Sequence, residues 1–134
     1  MEFPAHLDFL VDIITYVRQQ AESFGIDHKT IYKIELACEE AVVNIISYAY
    51  SGEEGTVVIQ CEKQPDTFKV TLRDRGVAFN PLESILHPEP NMPITMRRVG
   101  GLGIFLMSRT ANKASYQRNE NENVLHLVFH IGHG

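Results

Sequence analysis

Glu40 and Asn44 are the first pair in this chain whose types and spacing suit chemistry, within Glu39-Glu40-Ala41-Val42-Val43-Asn44. Four residues apart on a helix, their side chains lie on one face, one turn from each other. The surrounding face is apolar, so a carboxylate and an amide there cost free energy unless both find partners. A nucleotide–magnesium site would supply them. An amide oxygen suits the hard Mg²⁺ ion, and a carboxylate one turn away can accept a proton from an attacking hydroxyl or water. Taken alone, the pair fits a solvated helix edge equally well.

Two further segments carry chemistry. Asp74-Arg75-Gly76-Val77-Ala78-Phe79 stands at a strand end. An ionised Asp accepts hydrogen bonds only, and so could take one from an adenine amino group. Gly76, without a Cβ, would let a flat base approach the backbone. A plain strand-end turn explains the same residues. Gly100-Gly101-Leu102-Gly103-Ile104 leads into an apolar helix, Ile104 to Ala111. Backbone N–H groups at a helix start favour phosphate, and Arg97 and Arg98 just upstream add charge that could reach a terminal phosphate. Many flexible loops share such a glycine run.

The elements that must position these groups follow from periodicity. Leu7, Leu10, Val11, Ile14, Val17, Ala21 and Phe24 form one face of a helix from about 7 to 24, which Gly25 stops. Asp27 suits the N-cap of a second helix, about 28 to 49. Val57, Ile59 and Cys61 alternate with polar neighbours, Val58 excepted. After a turn at Gln64-Pro65-Asp66, Phe68, Val70 and Leu72 alternate with Lys69, Thr71 and Arg73, a strand with one solvated face. Leu125, Leu127, Phe129 and Ile131 point one way, and Val124, His126, Val128 and His130 the other. A strand around 114–118 pairs with them across Asn119-Glu120-Asn121-Glu122-Asn123. The proline-spaced segment 80–99 reads as a lid with at most a helical turn at 82–86. This order predicts an α+β fold, a two-layer sandwich of mostly antiparallel sheet with helices on one face.

Bulk composition sets outer bounds. The 134 residues suit a single domain, 1–134. With 12 Lys+Arg against 17 Asp+Glu the net charge is −5, which argues against general nucleic-acid or anionic-membrane binding. No run of about 18 apolar residues implies a membrane span, and MEFPAHLDFL does not read as a signal peptide. Cys38 and Cys61 form no CxxC pair and read as reduced thiols of a cytoplasmic protein. His126 and His130 share a strand face with Val128 between them, and read as a half-exposed sheet face, not a metal site. His87 reads as solvent-exposed.

Together the three segments carry a resemblance. ELACEEAVVNIISYAY resembles the N box of the GHKL (Bergerat) ATPase superfamily, DRGVAFNP its first glycine box and RRVGGLGIFLM its second. The likeness is closest to the anti-sigma-factor serine/threonine protein kinases, and continues through Tyr116 and Asn123-Val124-Leu125. It implies that Asn44 binds Mg²⁺ and that Glu40 is the general base toward a serine hydroxyl. Asp74 would meet the adenine amino group, with Gly76 and Phe79 beside it. Gly100, Gly101, Leu102 and Gly103 would hold the phosphates of ATP, and Arg97 or Arg98 would face the terminal one. The implied partners are a STAS-type anti-anti-sigma protein, a competing sigma factor and a second copy of the chain, met through part of the first helix. A non-catalytic nucleotide-binding module is the alternative. The chain departs from the family at Tyr48, where a His is frequent, and at Asn112, where an Asp is. Only a stub, Met1 to Pro4, stands where a first strand usually lies. A histidine-kinase assignment fits less well, with no phosphoacceptor helix or sensor segment in the sequence.

Overall fold

The computed structural model describes residues 1–82 and 110–131. In chain order it shows β1 (Glu2–Pro4), a 3₁₀ turn (Leu7–Phe9), α1 (Leu10–Ser23), α2 (His28–Asn44) and a π-helical turn (Ile45–Ala49). Then come β2 (Thr56–Lys63), β3 (Thr67–Asp74), β4 (Lys113–Asn119) and β5 (Glu122–His130). The strands form one antiparallel sheet in the order β1-β2-β3-β5-β4. Alternation along them gathers Val57, Ile59, Phe68, Val70, Leu72, Leu125, Leu127 and Phe129 into one buried row system. Ile13, Val17 and Ala21 of α1 and Ile34, Ala37, Cys38 and Ala41 of α2 complete the same core. The result is the expected two-layer α+β sandwich.

Several local expectations need correction. The stub at Met1–Pro4 is a short edge strand: Phe3 is buried, and Glu2, Phe3 and Pro4 pair with Val58, Val57 and Thr56. The stripe of the first helix is rotated. Ile13, Val17 and Ala21, at four-residue steps, are the fully buried set, whereas Leu7 and Val11 are 59% and 74% exposed. Leu7 falls in the 3₁₀ turn, which breaks the periodicity that joined it to the helix. Ile13→Ala therefore costs about 2–5 kcal/mol, while Val11→Ser stays within about 0.5 kcal/mol. Equilibrium urea unfolding of the two variants checks this contrast. In the last hairpin, Glu122 and Asn123 belong to β5, so the turn shrinks to Glu120-Asn121. Glu120 takes a left-handed φ of 54°, as two-residue hairpin loops demand.

Gly25 does end α1 as expected. Its φ is 75°, and the N–H of Ile26 reaches back to the carbonyl of Ala21 at 3.2 Å, closing a Schellman-type cap. The second helix, by contrast, stays α-helical only to Asn44 and then widens. The N–H of Tyr50 bonds the carbonyl of Ile45, five residues back. Single π turns cluster at functional sites, and this one begins directly after Asn44. Cys38 is buried and Cys61 half-buried, and both are free thiols. Burial pushes the Cys61 pKa up to about 11 and Cys38 higher still. Among the described residues no helix is long and apolar enough to cross a membrane.

Candidate active site

Strand alternation decides where Asp74 points. Phe68, Val70 and Leu72 face the helices, so Asp74, two residues on, faces them too. It ends that apolar row as a buried carboxylate, 4% exposed. Its register partner on β5 is Asn123, equally buried. Asp74 Oδ1 accepts from the N–H of Gly76 at 2.9 Å and from Asn123 Nδ2 at 2.8 Å. Its other oxygen, Oδ2, accepts no hydrogen bond among the described residues. Burial raises the Asp74 pKa, and the Asn123 amide, the Gly76 N–H and the Arg118 guanidinium act against that rise.

The loop after Asp74 is tied down on every side. The Val77 N–H donates to the carbonyl of Ala49 at 2.8 Å, using an acceptor that the end of the second helix leaves open. Arg118 Nη1 donates to the Gly76 carbonyl at 2.8 Å. The Arg75 N–H donates to the Tyr50 hydroxyl at 2.8 Å, and that hydroxyl donates to the Thr56 carbonyl at 2.7 Å. This packing gives Gly76 a different physical reason from the one expected. A Cβ there would land on the Ala49 carbonyl and 2.7 Å from the Ala49 Cβ. The glycine lets the loop dock on the π turn. Gly76→Ala is accordingly expected to cost about 1–3 kcal/mol through overpacking, read as a lowered midpoint in chemical denaturation.

Asn44 closes α2 at 2% exposure, and neither its Oδ1 nor its Nδ2 has a hydrogen-bond partner among the described residues. A solvated helix edge is thereby excluded for this residue. Leaving one such group unpaired costs about 1–3 kcal/mol. Asn44, Asp74, Phe79, Pro81, Tyr116 and Asn123 line one small cleft with a cavity volume of about 10 Å³. That is room for about one water molecule. A wider groove elsewhere, from Pro4 to Phe9 with Ile46 and Gly52 to Gly55, has His6, Asp8, Glu53 and Glu54 on its lining, all of them exposed and none buried as Asn44 and Asp74 are. Glu40 is half-buried one turn before Asn44 and does not line the cleft. Burial and then Glu39 raise its pKa.

Of the residues singled out in the sequence, Asn44, Asp74, Gly76 and Phe79 converge, and Glu40 stands one turn from Asn44. Arg97, Arg98, Gly100, Gly101, Leu102 and Gly103 lie outside the described residues, as do His87 and the 80–99 lid beyond Leu82. Tyr48 and Asn112, the two departures, both have work in this fold. Tyr48 stacks on Phe79 with ring centroids 5.0 Å apart. Asn112 donates its N–H to Val128 and accepts the N–H of His130, lashing the entry of β4 to β5. Sequence reasoning gave no role to Arg118, Tyr50 or the Asn123 side chain. Asn123 had a legible signal: it continues the inward row of Leu125, Leu127 and Phe129 by one step.

Comparison with known proteins agrees with this geometry. The histidine kinase-like ATPase domain model matches residues 3–129. Serine-protein kinase RsbW of Bacillus cereus (strain B4264) is 27% identical over 128 residues, 93% of this chain and 80% of that protein. Serine-protein kinase RsbW of Listeria innocua is 28% identical over 110 residues, 78% of this chain and 69% of that protein. The SiaB–SiaC complex from Pseudomonas aeruginosa contains a chain with a TM-score of 0.59 at 15% identity, covering 98% of this chain and 89% of that one. The catalytic domain of histidine kinase ThkA gives 0.58 at 17% identity, covering 98% and 96%. At these identities the two structures speak to the fold alone.

Proposed function

The chain belongs to the histidine kinase-like ATPase domain family, and from that premise we propose that it is an ATP-dependent serine/threonine protein kinase and anti-sigma factor acting on a STAS-type anti-anti-sigma protein. The observation that carries this reading is the buried amide of Asn44, unpartnered among the described residues, in the same cleft as Asp74, whose Oδ2 accepts no hydrogen bond among them. A buried polar group without a partner is costly in the free protein, and a ligand that arrives with complementary groups removes the cost. Adenine offers an amino donor to Asp74. Asn44 Oδ1 fits a Mg²⁺ ligand, because it is a hard oxygen with no competing hydrogen bond among the described residues.

Mg²⁺ held there would neutralise charge on the phosphate chain of ATP. The residues of the chain do the rest by positioning and electrostatics, as phosphoryl transfer requires. Asp74 orients the base. Arg97 or Arg98 faces the terminal phosphate, and Gly100, Gly101, Leu102 and Gly103 offer backbone N–H groups to the phosphates. Glu40 accepts the proton of the partner's serine hydroxyl as its oxygen bonds to the γ-phosphorus and the bond to ADP breaks. The RsbW relatives bear the name serine-protein kinase, which supports this choice of acceptor. A sigma factor is the competing partner. The exposed Leu7, Phe9 and Val11 offer a face for a second copy of the chain.

Incubation with γ-labelled ATP and a purified STAS protein tests the reading. Label on a serine or threonine of that protein is the expected result. Nucleotide bound without label transfer sinks the kinase reading and leaves a non-catalytic binding module.

A further inference from the structure

Asn123 uses every hydrogen-bonding position it has. Its Nδ2 donates to Asp74 Oδ1 and to the Val77 carbonyl, both at 2.8 Å. Its Oδ1 accepts the Phe79 N–H at 3.2 Å and the Tyr116 hydroxyl. An asparagine amide has two donor hydrogens and two acceptor lone pairs, and all four are engaged. The amide orientation is unambiguous, because the Val77 carbonyl can only accept and the Phe79 N–H can only donate. One buried side chain thus joins the end of β3, the loop from Val77 to Phe79, and β4.

We propose that Asn123 is a positioning residue for base discrimination, holding the Asp74 carboxylate so that its Oδ2 meets an amino-bearing purine and rejects a keto one. This rests on the adenine-nucleotide reading above. With all its own groups engaged, Asn123 has none left for a base, and it acts through Asp74. Asp74 Oδ1 is pinned between the Gly76 N–H and Asn123 Nδ2, which fixes the plane of the carboxylate and so the direction of Oδ2. The contact also favours the ionised carboxylate, against the effect of burial. An ionised carboxylate can only accept. It therefore pairs with the 6-amino group of adenine and faces the 6-keto oxygen of hypoxanthine without a proton to offer.

Asn123→Asp preserves the size and shape of the side chain and inverts its chemistry. Two acceptors then face Asp74, and the two carboxyl groups are driven to share a proton. When Asp74 carries that proton on Oδ1, its Oδ2 becomes a weaker, carbonyl-type acceptor, so the advantage of the amino base over the keto base shrinks and discrimination falls. The probes are Mg-ADP and Mg-IDP, titrated by calorimetry into wild type and variants whose folding is checked by thermal melts. Wild type is expected to prefer ADP. In Asn123→Asp the ADP-to-IDP affinity ratio falls by about tenfold or more, the effect of one hydrogen bond to a charged group. Tyr116→Phe removes one of the four bonds that orient the amide and lowers the ratio by about two- to fivefold. It also serves where Asn123→Asp does not fold. A purely structural role lowers both affinities together, so an unchanged ratio in the folded variants overturns the inference alone. Wild type that binds neither nucleotide overturns the adenine reading, and the inference with it.

Discussion

Replacing Asn44 with leucine is expected to make the free protein more stable while abolishing magnesium-dependent nucleotide binding. Leucine nearly matches the shape of asparagine, and it removes two buried polar atoms that have no partner among the described residues. The gain should be about 1–3 kcal/mol, the cost of an unsatisfied buried polar group. In a domain of this size that is a rise in Tm of several degrees. Thermal melts without nucleotide measure it. Titration of ATP with and without Mg²⁺ measures the loss. An ordinary core residue shows the reverse, since substitution lowers stability and leaves binding to follow. Unchanged magnesium-dependent binding in Asn44→Leu would remove Asn44 from the site, whatever the melt shows.

Glu40→Gln is expected to lower phosphoryl transfer by about 10²- to 10⁴-fold, the range for a general base. Nucleotide affinity should stay within about tenfold, because Glu40 does not line the cleft that Asn44 and Asp74 share. Single-turnover transfer of label to a STAS protein reads the first, and equilibrium binding reads the second. A pH profile adds an independent check. Glu40 must be ionised to accept a proton, so the rate rises with pH through its pKa. Burial and the neighbouring Glu39 lift that pKa above the ordinary glutamate value. Glu39→Gln removes the like charge, lowers the Glu40 pKa and shifts the rising limb to lower pH. A limb that does not move when Glu39 is neutralised assigns the titration to another group.

The two expectations differ because the residues sit differently. Asn44 lies at the base of the cleft, with its cost already present in the empty protein. Glu40 is half-buried one turn away, where it keeps contact with solvent and can exchange a proton. The π turn begins at Ile45, directly after Asn44. It ends the regular helix at Asn44 and turns the Ala49 carbonyl to the loop carrying Gly76. The same stretch brings Tyr48 against Phe79.

Local pattern was enough to determine the layers, the two hairpins and most of the core. The inward rows of β3 and β5 are read directly from alternation, because a side chain two residues on must face the same way. Glu40 and Asn44 on one helical face, and Asp74 at a strand end, were equally legible. What pattern left open was whether those polar residues met water or one another. Only the tertiary structure buried Asn44 without a partner among the described residues and set Asp74 opposite Asn123, since both depend on sheet register and helix docking across distant segments. It also gave Gly76 a further reason, its contact with Ala49, and turned Leu7 and Val11 outward. Periodicity names a face but not its angle of approach. That angle is decided by packing, which is cooperative and non-local.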